Sequence, residues 1–152
     1  MKLNILIREL NQDEIMKALL LAWDVFKEYE APDYTEEGVQ EFYKSIHDNE
    51  YITRLHVYGA FDKGRLVGVI ATRNGGTHIA LFFVDGQYQG QGIGKKLFQT
   101  VLKEYQTDKI TDKMTVNSSP YAVPIYHKLG FRDVDTEQVV NGLRFTPMEL
   151  FF

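Results

Sequence analysis

The chain has 152 residues, 44% of them hydrophobic and 25% charged, which are the values of one globular domain covering residues 1–152. A net charge of -4 without a basic stripe argues against a nucleic-acid partner. The lack of cysteine excludes disulfides, thiolate metal ligands and a cysteine nucleophile. No apolar stretch approaches the ~20 residues of a membrane span and no secretory signal begins the chain, so we expect a cytoplasmic protein without a membrane partner.

The N-terminal part of the chain predicts one strand and two helices. Alternating apolar residues at 3–10 indicate the strand, and Asn11 with Glu14 forms a capping-box start for a helix that we expect to reach about Tyr29. After a turn that contains Pro32, Thr35 caps a second helix whose apolar residues recur at helical spacing. Two helices therefore precede the main sheet.

A three-stranded antiparallel meander is predicted next. Residues 55–61 and 66–72 have the composition of strands, and the turn at residues 62–65 contains Gly64, which can supply a positive φ. A second turn, Asn74-Gly75-Gly76, leads into the apolar third strand at residues 79–84. This third strand ends where a glycine-rich loop begins.

The glycine-rich loop predicts a phosphate-binding site. Gly90, Gly92 and Gly94 precede a helix predicted at residues 93–105, and the positive end of a helix dipole favours phosphate. A P-loop is excluded because residue 89 is Gln and residue 96 is Lys, and a dinucleotide fingerprint is excluded because residue 95 is Lys. The spacing that remains is Gln-x-x-Gly-x-Gly.

The C-terminal part completes the sheet. A strand is predicted at 113–117, then a helix that begins near 120–123 and ends at Gly130, then strands at 131–135 and 143–150 with Pro147 at an edge or bulge. The fold class is therefore α/β (α+β): a mixed, mostly antiparallel central sheet of six to seven strands flanked by about four helices. The terminal Phe151 and Phe152 need cover, either from the core or from a second subunit of a homodimer.

Two segments resemble the GNAT superfamily of acyl-CoA-dependent N-acyltransferases. The first is Gln89-x-x-Gly92-x-Gly94 after an apolar strand, and the second is Ala122-x-x-x-Tyr126-x-x-x-Gly130-Phe131 after a strand that ends in Asn. The segments follow one another in the family order. The resemblance implies a GNAT-like fold in which the strand at 79–84 splays from the strand at 113–117 and leaves a cleft for acyl-CoA.

The same resemblance implies a donor site for acetyl-CoA and no metal. The backbone of the strand end would pair with the pantetheine arm, the loop amides would hold the pyrophosphate, and an Asn at the end of the next strand would hold the donor or order water. The residues implied are Phe82, Phe83, Val84, Gln89, Gly90, Gln91, Gly92, Ile93, Gly94, Lys95 and Asn117.

Acyl transfer to an amine requires a base for the amine, an oxyanion donor and an acid for the leaving thiolate. Tyr126 matches the tyrosine that acts as the acid in the family, and a backbone N–H of residues 82–84 is the predicted oxyanion donor. The family commonly places an acidic residue in the glycine-loop strand, and this strand has none. His78, its only titratable side chain, is the predicted base, with a water relay as the other possibility.

The resemblance places the acceptor at the connection between the first two helices. The acidic residues Glu28, Glu30 and Asp33 and the aromatic residues Tyr29 and Tyr34 lie there and would bind a cationic amine, whether a small molecule or a peptide. The predicted function is N-acetyl transfer from acetyl-CoA to a primary amine by direct attack in a ternary complex. The alternative is a non-catalytic acyl-CoA-binding or sensing module of the same fold, which the missing strand carboxylate favours.

Overall fold

The computed structural model describes residues 4–108 and 112–152, so Leu3, predicted as the start of the first strand, lies outside the described residues. Five α-helices occur in the described part of the chain: α1 Ile15–Val25, α2 Glu36–Ser45, α3 Asn49–Thr53, α4 Ile93–Asp108 and α5 Val123–Leu129. Its eight strands are β1 Ile5–Glu9, β2 His56–Asp62, β3 Arg65–Arg73, β4 His78–Val84, β5 Lys113–Ser118, β6 Arg132–Asp133, β7 Gln138–Val140 and β8 Leu143–Phe151.

The strands form a mixed sheet in the order β1-β2-β3-β4-β5-β8-β6, and β7 pairs with the beginning of β8. Every neighbouring pair is antiparallel except β4 with β5, which are parallel. The predicted mixed, mostly antiparallel sheet is confirmed. The β2–β3 turn is also as predicted, because Lys63 and Gly64 both have positive φ (50° and 83°), as a two-residue hairpin turn requires.

Two apolar layers cover the two faces of the sheet. On one face α1 and the aromatic side of α2 pack on β2, β3 and β4, with Phe26 and Phe42 stacked at 4.0 Å between ring centroids. On the other face Leu97, Phe98 and Val101 of α4 pack on β3 and β5 and on the buried Tyr126 of α5. The parallel β4–β5 pair therefore lies between two layers of helices, where a parallel pair is normally found.

Several boundaries differ from those predicted. The first helix ends as an α-helix at Val25 and continues as a π-helical turn, Phe26–Glu30, rather than as a regular helix to Tyr29. Helix α3 and strand β7 were not predicted because segments of five and three residues are too short to show periodicity.

Pro147 is neither at an edge nor at a bulge, since it pairs with Asn117 in a strand that has neighbours on both sides. Its carbonyl accepts from Val134 N, just beyond β6. A residue's N–H and C=O point to the same edge of a strand, so the missing N–H of proline faces the β6 side, where that strand has already ended. The proline therefore removes no hydrogen bond between β5 and β8.

Gly38 joins α2 to the turn between β7 and β8. A Cβ at residue 38 would lie within 3.0 Å of the backbone carbonyl carbon and oxygen of Gly142, which cannot rotate away as a side chain can. Gly→Ala inside a helix normally stabilises by roughly 0.5–1 kcal/mol, but we expect Gly38→Ala to destabilise the fold by about 1–3 kcal/mol because of this overlap. Urea denaturation measures the difference. Gly94→Ala in α4, where the nearest atom to a Cβ is 3.5 Å away, is the control, and a stabilised Gly38→Ala would contradict the close packing.

Candidate active site

A cleft opens between β4 and β5. The two strands pair only through His78 with Thr115 and Ile79 with Val116. On the other side of β4, the register with β3 shifts by one residue, so that Ala80 is an extra residue between two successive pairs. Such a bulge bends its strand and increases the local twist. The bend lies immediately after the last β4–β5 pair, which explains why the strands separate at that point.

Beyond the bulge, the backbone N–H and C=O groups of every second residue of β4 face the cleft. Asp85 N donates to Val67 O of β3 at 2.8 Å, whereas Val84 O accepts from Gln89 Nε2 at 3.0 Å. Because successive residues of a strand point their N–H and C=O groups to opposite edges, those of Phe82 and Val84 face the cleft. The N–H and C=O of Phe83 face β3 and are not available to the cleft. Of the three residues predicted to bind the pantetheine arm through their backbone, only Phe82 and Val84 can therefore do so.

The glycine-rich loop leads directly into α4. Gly90 and Gly92 have φ values of 78° and 84°, a region that residues with a Cβ rarely adopt. Lys96 N donates to Gly92 O at 3.1 Å, so the amides of residues 93–95 precede the helical hydrogen-bond ladder and have no helical partner. Free amides at the positive end of a sixteen-residue helix form a site for an anion such as phosphate.

A cavity of about 520 Å³, here called the loop cavity, lies between this loop, the end of β4 and α5. Nine of the predicted donor-binding residues line it: Phe82, Phe83, Val84, Gln89, Gly90, Gly92, Ile93, Gly94 and Lys95. Gln91 is exposed and does not line the cavity; its side chain donates to Gln87 O at 3.4 Å. The cavity is mostly apolar with free amides at one end, which suits a ligand with a long arm and a phosphate group.

The side chain of Gln89 holds the two walls of the loop cavity together. Its Nε2 donates to Val84 O on β4, and its Oε1 accepts from the Tyr121 hydroxyl, ahead of α5, at 3.0 Å. Tyr121 in turn packs on Tyr29 at 5.4 Å between ring centroids, and the lack of a Cβ at Gly86 makes room for the Tyr29 hydroxyl. Gln89 therefore shapes the cavity with its side chain, and only its backbone is free to bind a ligand.

A second cavity, of about 390 Å³, meets the loop cavity at five shared residues, which form the junction. The junction consists of Glu30, Phe82, Phe83, Ala122 and Tyr126. The second cavity extends from the junction along β4 toward His78 and is also lined by residues of α2 and β8. Two ligands that enter from the two cavities would therefore meet at Tyr126 and Glu30.

Tyr126 is 5% exposed and packs between Phe82 and Phe131, at 6.0 and 5.4 Å between ring centroids. Its hydroxyl makes no hydrogen bond to the described residues. Because none of their fully buried side-chain polar atoms lacks a partner, this hydroxyl must be open to the cavities that the residue lines. Burial, and then the nearby charge of Glu30, raise the pKa of the Tyr126 phenol well above its usual value. The hydroxyl therefore keeps its proton at neutral pH and can donate it to a ligand.

Glu30 ends the π-helical turn and lines the junction from the other side. Burial raises the pKa of its carboxyl to about 7, with a smaller upward contribution from Asp33, while a hydrogen bond from Ser119 acts in the opposite direction. π-Helical turns often occur at functional sites. The sequence indicated Glu30 only as one of three acidic residues in the turn, because nothing local shows that Ser119 lies against it.

His78 lines the second cavity, and its Nδ1 lies 2.8 Å from Thr115 Oγ1 across the β4–β5 pair. Burial, and then the positive charge of Arg73, lower the pKa of the imidazole to about 4. The ring is therefore neutral at neutral pH. It is also a weak base, since it loses a proton more readily than a carboxyl group in the junction does.

Most of the chain matches one known protein family. Residues 30–152 match the family described as the Acetyltransferase (GNAT) domain. The chain belongs to the GNAT acetyltransferase family. No protein of curated function matches the sequence.

Solved GNAT structures share the whole fold at low sequence identity. A GCN5-related N-acetyltransferase from Rhodopseudomonas palustris has a TM-score of 0.85 at 20% identity, with 100% of this chain and 99% of that chain covered. The PaiA N-acetyltransferase from Thermoplasma acidophilum, solved in complex with coenzyme A, has a TM-score of 0.79 at 22% identity over 98% and 99%. The ribosomal-protein-S18-alanine N-acetyltransferase from Escherichia coli has a TM-score of 0.65 at 18% identity over 97% and 94%. At these identities the likeness establishes the fold.

Of the other predicted site residues, some line the second cavity and some line neither cavity. Asn117 lines the second cavity and not the loop cavity, where a donor-binding residue would be expected. Of the predicted acceptor residues, Tyr34 lines the second cavity, whereas Glu28, Tyr29 and Asp33 line neither cavity. Sequence reasoning also missed Tyr121, whose hydroxyl bonds a residue 32 positions earlier in the chain.

Within residues 4–108 and 112–152, this GNAT domain has no group of three or more His, Asp or Glu side chains suited to a metal ion. The same residues contain no helix long and apolar enough to cross a membrane. A further concavity of about 760 Å³ follows β1 and the β2–β3 turn and contains none of the predicted site residues.

Proposed function

We propose that this protein transfers an acetyl group from acetyl-CoA to a primary amine by direct attack in a ternary complex. The observation that carries the proposal is the meeting of two cavities at Tyr126 and Glu30, one of them lined by free loop amides. A donor in the loop cavity and an acceptor in the second cavity would bring thioester and amine together at the junction. A cytoplasmic location is part of the same proposal.

The loop cavity holds the donor in this proposal. The amides of residues 93–95 bind the pyrophosphate, and the cleft-facing backbone groups of Phe82 and Val84 lie along the pantetheine arm. Val84 O already accepts from Gln89, so its N–H is the group left for the donor. The N–H of Phe82 or of Val84 also stabilises the oxyanion that develops on the thioester carbonyl, because both face the cleft.

Glu30 is the base in this proposal. An alkylammonium ion has a pKa near ~10, so it must lose a proton before its nitrogen can attack. A base works best when its pKa lies near the working pH, and the pKa of Glu30, about 7, meets this condition better than that of His78, about 4. The ionised carboxylate first attracts the ammonium group and then accepts its proton, directly or through one water molecule.

Tyr126 is the acid in this proposal. Attack forms a tetrahedral intermediate, the C–S bond breaks, and the phenol gives its proton to the thiolate while it takes the second proton from the new amide nitrogen. No phenolate accumulates, which suits a phenol whose pKa is raised. Part of that rise comes from the charge of Glu30, so the rise becomes smaller once Glu30 has accepted a proton. The two proton transfers thus assist each other.

A non-catalytic acyl-CoA sensor is the alternative function. The lack of a carboxylate in β4 favoured it, but Glu30 brings a carboxylate to the junction from another element. A panel of amines, amino acids, polyamines and peptides, incubated with acetyl-CoA and followed by thiol release, separates the two functions. Thiol release that depends on an amine supports transfer, whereas binding of acetyl-CoA without any release supports sensing.

Gly92→Asp tests the donor site. An aspartate there needs an unfavourable positive φ and places a negative charge beside the proposed phosphate position, so we expect acetyl-CoA affinity to fall more than about tenfold, or ~1.4 kcal/mol. Calorimetric titration measures the affinity. Gly64→Asp is the matched control because its φ is 83° against 84°, no atom crowds its Cβ, and it lies outside the loop cavity. Unchanged acetyl-CoA affinity in Gly92→Asp would contradict the proposal that this loop binds the donor.

A further inference from the structure

The second cavity contains an arginine whose charge is not neutralised by the protein. Arg73 ends β3, is partly buried and lines the cavity, and it makes no hydrogen bond or ion pair with the described residues. The other arginine of the cavity, Arg144, is already engaged: it pairs with Glu137 at 3.2 Å and donates to Asp33 O at 3.0 Å. Arg73 is therefore the guanidinium of this cavity that is available to a ligand.

Arg73 and Glu30 lie toward opposite ends of the cavity. Arg73 is the register partner of His78 at the start of β4, and its charge acts on His78 and on Tyr51, which both line the same region. Glu30 lies at the junction with Phe82. His78 and Phe82 pair with Arg73 and Ile70 of β3, which are only three residues apart because of the bulge at Ala80, or about 10 Å along a strand. The long arginine side chain covers part of this distance, and a short ligand would cover the rest.

The charges of the cavity select a ligand with charges of its own. A partly buried guanidinium without a protein partner has lost part of its hydration, and a carboxylate compensates for that loss with two parallel hydrogen bonds. Glu41 of α2 also lines the cavity without a hydrogen bond or ion pair from its side chain to the described residues. A ligand with both an ammonium group and a carboxylate therefore complements this cavity better than an uncharged amine or a diamine.

We propose that the acceptor is an amino carboxylate in which a short chain separates the reacting amine from the carboxylate, with the amine at Glu30 and the carboxylate on Arg73. This inference rests on the proposed acetyl transfer and names its acceptor class. Lysine, acetylated on its side-chain amine, and 5-aminopentanoate both have this form. In lysine the α-ammonium group would face Glu41.

The test compares pairs of amines that differ only in the carboxylate. We expect 5-aminopentanoate to have a kcat/KM at least about tenfold above that of pentylamine, and lysine to exceed cadaverine by a similar factor, since hydrogen bonds between two charged groups are stronger than those between neutral groups. Arg73→Gln should raise KM for the two carboxylates about tenfold or more and change KM for pentylamine and cadaverine less than about twofold. Arg73→Lys keeps the charge but loses the planar guanidinium. Its KM for the two carboxylates should lie between those of the wild type and Arg73→Gln.

Arg54→Gln is the matched control, because it removes one positive charge from an exposed position outside both cavities and should change none of these constants. Equal or faster turnover of pentylamine and cadaverine would overturn the acceptor class while leaving acetyl transfer intact. If no amine is turned over, acetyl transfer fails, and calorimetric binding of 5-aminopentanoate to the coenzyme A complex decides this inference by itself. The acceptor class is supported if the wild type binds 5-aminopentanoate and Arg73→Gln does not. It is overturned if the wild type does not bind 5-aminopentanoate.

Discussion

Tyr126→Phe is expected to lower kcat by about 10²–10³-fold, the usual effect of removing a general acid, while the affinity for acetyl-CoA stays within about twofold. The ring packs against Phe82 and Phe131, and phenylalanine keeps that packing, so only the proton is lost. The hydroxyl has no partner among the described residues, so the change leaves no buried group unsatisfied there. Steady-state kinetics and calorimetric titration separate the two effects.

The role of the acid has a second signature. A thioester with a more acidic leaving thiol needs less protonation, so the defect of Tyr126→Phe should shrink when an aryl thioester replaces acetyl-CoA as the donor. Tyr43→Phe is the control, because Tyr43 is 42% exposed and lies outside both cavities. A kcat unchanged in Tyr126→Phe, or a defect that is equal for both thioesters, would remove Tyr126 from the chemistry.

Glu30→Gln is expected to lower kcat/KM by about 10²–10³-fold by removing the base. The carboxyl must be ionised to accept a proton, and its pKa of about 7 means that this form is lost as the pH falls below neutrality. In the wild type, log(kcat/KM) should therefore rise with unit slope to a shoulder near pH 7, and in the variant the shoulder should be absent. Glu36→Gln, an exposed change at the start of α2, should leave the profile unaltered.

The same substitution should stabilise the fold at alkaline pH. The pKa of Glu30 is higher in the folded protein, about 7, than its ordinary value of 4.5, so folding is favoured by the bound proton below pH 4.5 and loses that contribution as the pH rises through 7. We expect Glu30→Gln to unfold at a higher temperature than the wild type at pH 8, by an amount equivalent to roughly 1–3 kcal/mol, and to differ little at pH 4.5. A variant less stable at pH 8, or a wild-type rate profile without the shoulder, would argue against Glu30 as the base.

The sequence indicated the residues that line the loop cavity far better than those that line the second cavity. The glycine loop lies in one short segment, and two positive-φ glycines ahead of a helix leave a pattern that spacing alone can test. Tyr126, which lines both cavities, likewise lies in one short sequence pattern, from Ala122 to Phe131. These features depend on local geometry, which neighbouring residues determine.

The second cavity depends on contacts between segments far apart in the chain. Glu30 reaches the junction because a π-helical turn ends at it and because Ser119 lies against it, and neither fact can be inferred from residues 26–30. The pKa of His78 is lowered by burial and by Arg73 across a strand pair, so its weakness as a base depends on tertiary structure. Asn117 lines the second cavity although the family pattern placed it with the donor.

Direct transfer in a ternary complex is tested by steady-state kinetics together with intact-protein mass. With acetyl-CoA and 5-aminopentanoate, or another amine that is turned over, the account predicts one free thiol for each N-acetylated amine and intersecting double-reciprocal lines. It also predicts no gain of an acetyl mass on the protein when the amine is left out. Parallel lines with an acetylated protein would contradict direct attack, and acetyl-CoA binding without thiol release across the amine panel would contradict catalysis itself.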